Sequence, residues 1–145
     1  MAYRATKAGL SDAFDDWTNA LNAGDLEIFY NFFDARSEIL DEDYPWRMNK
    51  EEFVDHIGFH AGVTGNPALW EHFKWIPRDV EAKVWNKTTG HVSGFSTFRG
   101  KPVDAGFRQR FMGFTTSWYH DGKTWRLISW HQSVLAGRIA GASPS

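Results

Sequence analysis

Asp41 stands in the run Ile39-Leu40-Asp41-Glu42-Asp43, fifteen residues after Leu26 in the stretch Ala20-Leu21-Asn22-Ala23-Gly24-Asp25-Leu26. Alternation along an extended segment puts Ile39 and Asp41 on one side, so a core-facing Ile39 carries Asp41 toward a pocket. A carboxylate held away from water beside apolar walls is suited to take a proton from a carbon next to a carbonyl, or from a hydroxyl. The alternative is an acidic cluster solvated in a loop before Pro45. Tyr44 is the hydroxyl nearest Asp41 in sequence and is placed to supply a proton to a developing oxyanion. His60 falls on the apolar face of a helix, one turn after His56, where a neutral imidazole can act as acid or hydrogen-bond donor to a substrate oxygen.

Other side chains bound the chemistry. His56 and His60 have the i, i+4 spacing of half a metal pair, but Ile57 stands where the metalloprotease glutamate would be, so no metal is expected. Arg108 and Arg110 share one side of a strand, with Phe107, Gln109 and Phe111 on the other. Inward-facing arginines imply an anionic ligand or a carboxylate partner such as Asp41, whereas outward-facing ones imply a solvated or dimer surface. His131, followed by Ser133, is expected on the same face as Trp125 and Ser129, framing the cavity or a dimer face. There is no glycine-rich phosphate loop, nucleophile elbow or cysteine–histidine arrangement, which removes phosphoryl transfer, serine hydrolysis and thiol chemistry.

These residues need elements to position them. Leu10, Phe14, Trp17 and Leu21 recur at helical spacing, predicting a helix over 11–23 with Ser11 as N-cap. Gly24 stops it, and Asp25 caps a second helix from Leu26 to about Phe33. A third begins at Asn49, where Glu52 completes a capping box and Met48 staples onto Phe53, with Phe53, Ile57, His60 and Ala61 on its inner face. After Pro77 the pattern becomes that of strands at 78–86, 91–99, 106–119 and 124–135, with turns at 86–90, 99–101 and 120–122. Asp121-Gly122 is the strongest hairpin signal. Helices first and an antiparallel meander afterwards give an α+β layer fold. The tail from about 136 to Ser145 is rich in glycine, alanine, serine and proline and is expected to be loose.

The chain has 145 residues, enough for one domain over 1–145 with one core. A net charge of −2 gives no basic footprint for nucleic acid or anionic membrane. Aromatics reach 17%, with eight Trp and twelve Phe, more ring surface than one small core needs, which suggests a lined cavity or a sticky interface, the alternative for any single ring being that it fills the core. No apolar run is long enough to span a bilayer and residues 1–7 carry no signal-like segment, so a cytoplasmic protein is expected.

The Ala20–Leu26 stretch, and an ending in which Trp118, Asp121-Gly122, Trp125 and His131-Gln132-Ser133 fall in order, resemble the nuclear transport factor 2-like (NTF2-like) superfamily. It holds steroid isomerases, SnoaL-like cyclases, small dehydratases and lyases, and the kinase II association domain. The resemblance covers nearly the whole chain and implies a cone-shaped fold: three N-terminal helices on a curved, mostly antiparallel sheet enclosing a pocket. Aligned without a gap, it places the isomerases' general base on Asp41, Trp17 where they carry an oxyanion-hole tyrosine, and Thr116 or a neighbour where they carry a protonated aspartate. Two of three catalytic identities differ, which speaks against a true steroid isomerase.

The expectation is therefore a lyase or isomerase without cofactor, its reactions including dehydration, retro-aldol cleavage and cyclisation, acting on an apolar aromatic or polycyclic molecule. Asp41 moves the proton, Tyr44 or His60 polarises the oxygen, and Trp17, Trp46, Phe53, His56, Arg108, Arg110, Thr116 and His131 contact substrate. The rival is a non-catalytic ligand-binding or assembly module. A homodimer is expected under both.

Overall fold

A computed structural model describes residues 2–42, 45–61, 70–102 and 105–135, and within them no side chain at 57–61, 70, 71 or 102. Tyr44, the side chain of His60 and the tail from about 136 lie outside the described residues. The elements are α1 (Lys7–Ala23), α2 (Leu26–Asn31), β1 (Phe33–Leu40), α3 (Lys50–Ala61), β2 (Trp70–Trp85), β3 (Thr89–Pro102), β4 (Arg108–His120) and β5 (Trp125–Val134).

Local chemistry sets the helix ends. Helix α1 starts four residues ahead of the expected cap, because Thr6 is extended and its hydroxyl accepts the Gly9 N–H at 3.0 Å, leaving Ser11 inside the helix. Gly24 closes it at φ +78°, a conformation that only a residue without Cβ adopts cheaply. Asp25 then caps α2 through the Ile28 N–H. That helix ends at Asn31 rather than Phe33, and Phe33 opens a strand. At α3 the capping box is reciprocal: Asn49 N–H donates to Glu52 Oε1 at 2.9 Å, and Glu52 N–H donates to Asn49 Oδ1 at 2.8 Å.

The sheet order is β1-β5-β4-β3-β2, antiparallel except for the parallel pair β1–β5. The turn expected at 99–101 is instead ladder: Arg99, Gly100 and Lys101 pair within β3, and the chain reverses after Pro102. The Asp121-Gly122 turn forms, with Asp121 Oδ1 accepting the Lys123 and Thr124 N–H groups.

Two register shifts decide which side chains face the helices. In β2 the ladder slips between Arg78 and Glu81, with Asp79 at φ +53°. A Cβ on the facing Gly94 would stand 3.0 Å from Asp79 O, so glycine admits the bulge. In β5, Leu127 pairs with Trp118 and Ser129 with Ser117, leaving Ile128 as the extra residue. Beyond it one row crosses the whole sheet on the helix side: Ala82, Val92, Thr116, Trp130 and Ile39. The adjoining outer row is Glu81, Ser93, Thr115, His131 and Leu40.

Helix α1 packs over β2 and β3, and α3 over β1. Between the helices and the sheet lies a core of rings. Trp17 is wholly buried, with the centroid of Trp130 at 4.9 Å, Phe29 at 5.3 Å, Phe14 at 5.6 Å and Trp118 at 5.9 Å. Most of these pairs are tilted or edge-on, the geometry favoured by ring quadrupoles.

Candidate active site

Strand β1 delivers Asp41 to the rim of this core. Ile39 and Met48 exchange both backbone hydrogen bonds at 2.9 Å, which clamps the intervening turn at its base, with Asp41 two residues beyond the clamp. Asp41 Oδ1 accepts from Gln132 Nε2 and from the Glu42 N–H, each at 2.7 Å. Asp41 Oδ2 lies 3.6 Å from His56 Nε2 on α3, and the two side chains are only 13% and 15% exposed. The carboxylate is therefore hydrogen-bonded on one oxygen and faces an imidazole with the other, rather than standing bare against apolar walls.

A line of hydrogen bonds supports this pair. Trp75 Nε1 donates to Gln132 Oε1 at 3.0 Å, a buried contact between β2 and β5. The backbone of Trp75 is in turn held by Asn22 of α1, whose Oδ1 accepts the Trp75 N–H and whose Nδ2 donates to Trp75 O, both at 2.7 Å. Arg110 lies on the helix side of the sheet, in the row of Trp75 and Phe98, and its Nη1 reaches Glu42 Oε1 at 3.4 Å. Of the two orientations open for the arginines, the inward one holds for Arg110, with Glu42 rather than Asp41 as partner. Arg108 shares that side, and both arginines are exposed, the Arg110 side chain at 43%. Among the described residues no three His, Cys, Asp or Glu side chains cluster as metal ligands. Among them, too, no helix is long and apolar enough to cross a membrane.

No protein-family model and no curated protein matches the sequence. Solved structures do. A candidate calcium/calmodulin-dependent protein kinase II association domain from Xanthomonas campestris superposes with TM-score 0.70 at 16% identity, over 88% of this chain and 86% of that one. Hexachlorocyclohexane dehydrochlorinase LinA-type3 from Novosphingobium barchaimii LL02 gives 0.72 at 11% identity, over 90% and 87%. A candidate dehydratase of the NTF2-like family from Streptomyces avermitilis gives 0.70 at 16%, over 89% and 94%. The fold is NTF2-like.

Within this NTF2-like frame the expected site residues separate. Asp41 and His56 come together. Trp17 and Phe53, expected as pocket walls, are fully buried core. Thr116 is likewise structural: its hydroxyl donates to Val92 O and accepts from Trp118 Nε1, both at 2.8 Å, so both roles are taken. Trp46 is 68% exposed on its loop. His131 is displaced to the outer face by the Ile128 bulge, away from the face of Trp125 on which alternation had put it. There, with Asp79, Glu81, Phe95 and Ser133, it lines an open groove of about 430 Å³. A second hollow of about 270 Å³ lies between Tyr3, Ile28, Phe32 and Arg126, and neither is lined by Asp41.

The residue at this site missed from sequence is Gln132, which the same one-residue slip turns inward. Burial raises the Tyr30 hydroxyl well above its ordinary range, and it donates to Val54 O on α3, a packing role.

Proposed function

We propose that this chain is a lyase or isomerase without cofactor, in which Asp41 and His56 move a proton on a small apolar molecule, aromatic or polycyclic in class. The observation that carries the reading is the half-hidden Asp41–His56 contact at 3.6 Å, supported from behind by Gln132. Asp41 Oδ1 is occupied by two N–H donors, so Oδ2 is the oxygen left to work. Facing His56 Nε2, it orients the imidazole and stabilises the imidazolium that forms when the ring takes a proton from carbon, a proton the ring then returns to a leaving hydroxyl or to another carbon. Asp41 thus shares the role of base with His56 instead of filling it alone. Tyr44 and His60 stand as candidates for polarising the substrate oxygen, and Arg110 for binding polar substituents. Elimination is favoured by the likeness to a dehydrochlorinase and a candidate dehydratase.

The class of chemistry is testable before a substrate is known. Aromatic and polycyclic ketones and β-hydroxyketones are incubated with protein in D2O, and loss of the proton next to the carbonyl is followed by NMR. Exchange catalysed by the wild type should fall at least ~100-fold in Asp41→Asn and in His56→Gln, the usual scale for losing an acid/base group. Equal exchange in both variants removes the pair from the chemistry.

The rival reading, an assembly module, draws on one observation, which does not separate it from the first. Ile76, Phe95 and Phe111 are exposed on the sheet face opposite the helices. We propose that this face pairs two copies of the chain, which is compatible with either reading.

A further inference from the structure

We infer that Gln132 is the positioning residue of the Asp41–His56 pair, fixing which oxygen of the carboxylate meets the imidazole; this rests on the pair being the reactive centre proposed above. The argument begins with Trp75. An indole N–H is a donor only, so the Gln132 atom 3.0 Å from Trp75 Nε1 has to be the carbonyl oxygen. The other end of the planar amide is then NH₂, and it meets Asp41 Oδ1 at 2.7 Å as a donor. The orientation of the amide is thus dictated by the core and not by the site it serves. With Oδ1 held by Gln132 and by the Glu42 N–H, Asp41 has no freedom to turn, and Oδ2 stays toward His56. The Trp75 backbone is itself fixed to α1 by Asn22, so the carboxylate is referenced to the rigid body of the fold although it sits at the start of a turn.

The consequence is a coupling that a purely structural glutamine would not show. Gln132→Met keeps length and burial but removes the donor, releasing Asp41 from its fixed distance to the imidazole. The pH midpoint of His56, read from its ring signals by NMR, should fall by about one unit, the lower end of what a carboxylate within ~4–6 Å supplies. Besides Asp41, the described charges at this corner are Glu42 with its partner Arg110, Glu38 of β1 with Arg47, and Lys50, Glu51, Glu52 and Asp55 on α3 itself. Gln132→Met changes none of them.

The deciding measurement is the same substitution in an Asp41→Asn background, where the fall should vanish because the charge that Gln132 positions is gone. A fall of equal size in both backgrounds, or none in either, overturns the proposal. If Gln132→Met does not fold, Trp75→Phe tests the same link by leaving the amide free to turn over. It should lower the His56 midpoint in the same direction by less, and an unchanged midpoint counts against the proposal. The titration needs no substrate, so an inactive protein with the coupling intact refutes the proposed reaction and leaves the role of Gln132 standing.

Discussion

A single asparagine solves an edge problem and so determines how well the candidate site is held. Strand β2 lies at the end of the sheet, where among the described residues no strand neighbours one side of its backbone. At Trp75, Asn22 stands in for that strand, accepting the backbone N–H with its Oδ1 and donating to the carbonyl with its Nδ2. Asn22→Ala should cost about 2–3 kcal/mol in urea unfolding, because it strands two part-buried backbone groups as well as losing two contacts. A loss within about 0.5 kcal/mol, the range of an ordinary surface substitution, would show that water replaces the side chain freely. Asn22 belongs to the stretch that made the α1–α2 corner legible in sequence, yet nothing in its spacing pointed to β2. Its partner lies 53 residues away and is a backbone group, for which sequence carries no residue-type signal.

At the scale of elements, β1 and β5 pair parallel but lose register between Phe33 and Glu38, so side chains have to secure the start of β1. Asp34 does so. Its Oδ1 accepts the Arg36 N–H and Nε, and its Oδ2 accepts the Tyr119 hydroxyl of β4 at 2.8 Å. The Arg36 backbone N–H, then the Arg36 and Tyr119 side chains, outweigh burial and bring the Asp34 carboxyl from its ordinary 3.8 down to about 2. A folded value below the unfolded one means stability that is complete above about pH 4 and lost as pH falls through 4 toward 2. With Arg36 largely in solvent the contribution is about 1–2 kcal/mol. Asp34→Asn should therefore be less stable than wild type by that amount at pH 6, with the two urea curves converging near pH 2. A gap independent of pH would assign the effect to packing. The caps at Asp25 and Asn49 and the Asp121-Gly122 turn were readable from local residue chemistry, whereas the Thr6 cap was not, and Trp17 and Phe53, expected as pocket walls, fill the core. The bulges were not readable, because one inserted residue at Ile128 exchanges every later side chain between faces, turning His131 out and Gln132 in. The side taken by Asp41 follows from Ile39 by simple alternation, with no slip between them. Reading Gln132 required the slip itself.

For the whole molecule, the two faces of the sheet carry different burdens. The helix side is filled by rings, while the opposite side leaves Ile76, Phe95 and Phe111 at 43%, 39% and 48% exposure in adjacent rows of three neighbouring strands. Charges of both signs border them: Arg78, whose guanidinium lies 5.8 Å from the Phe95 ring centroid, and Asp79 and Glu81 at the groove. A surface that mixes apolar side chains with both signs of charge is able to complement itself across a two-fold axis, where each patch meets its own copy. The wild-type chain is accordingly expected to sediment at twice its chain mass at micromolar concentration. Phe95→Lys combined with Phe111→Lys places like charges against each other near the axis and replaces apolar burial with desolvated ammonium groups, so this variant should sediment as a monomer. Both positions are on the outer face, and His56 and Asp41 meet on the inner one, so the His56 titration should be the same in monomer and dimer. A wild-type monomer would end the pairing proposal, and a changed His56 midpoint in a well-folded monomeric variant would show that the second copy helps to shape the site.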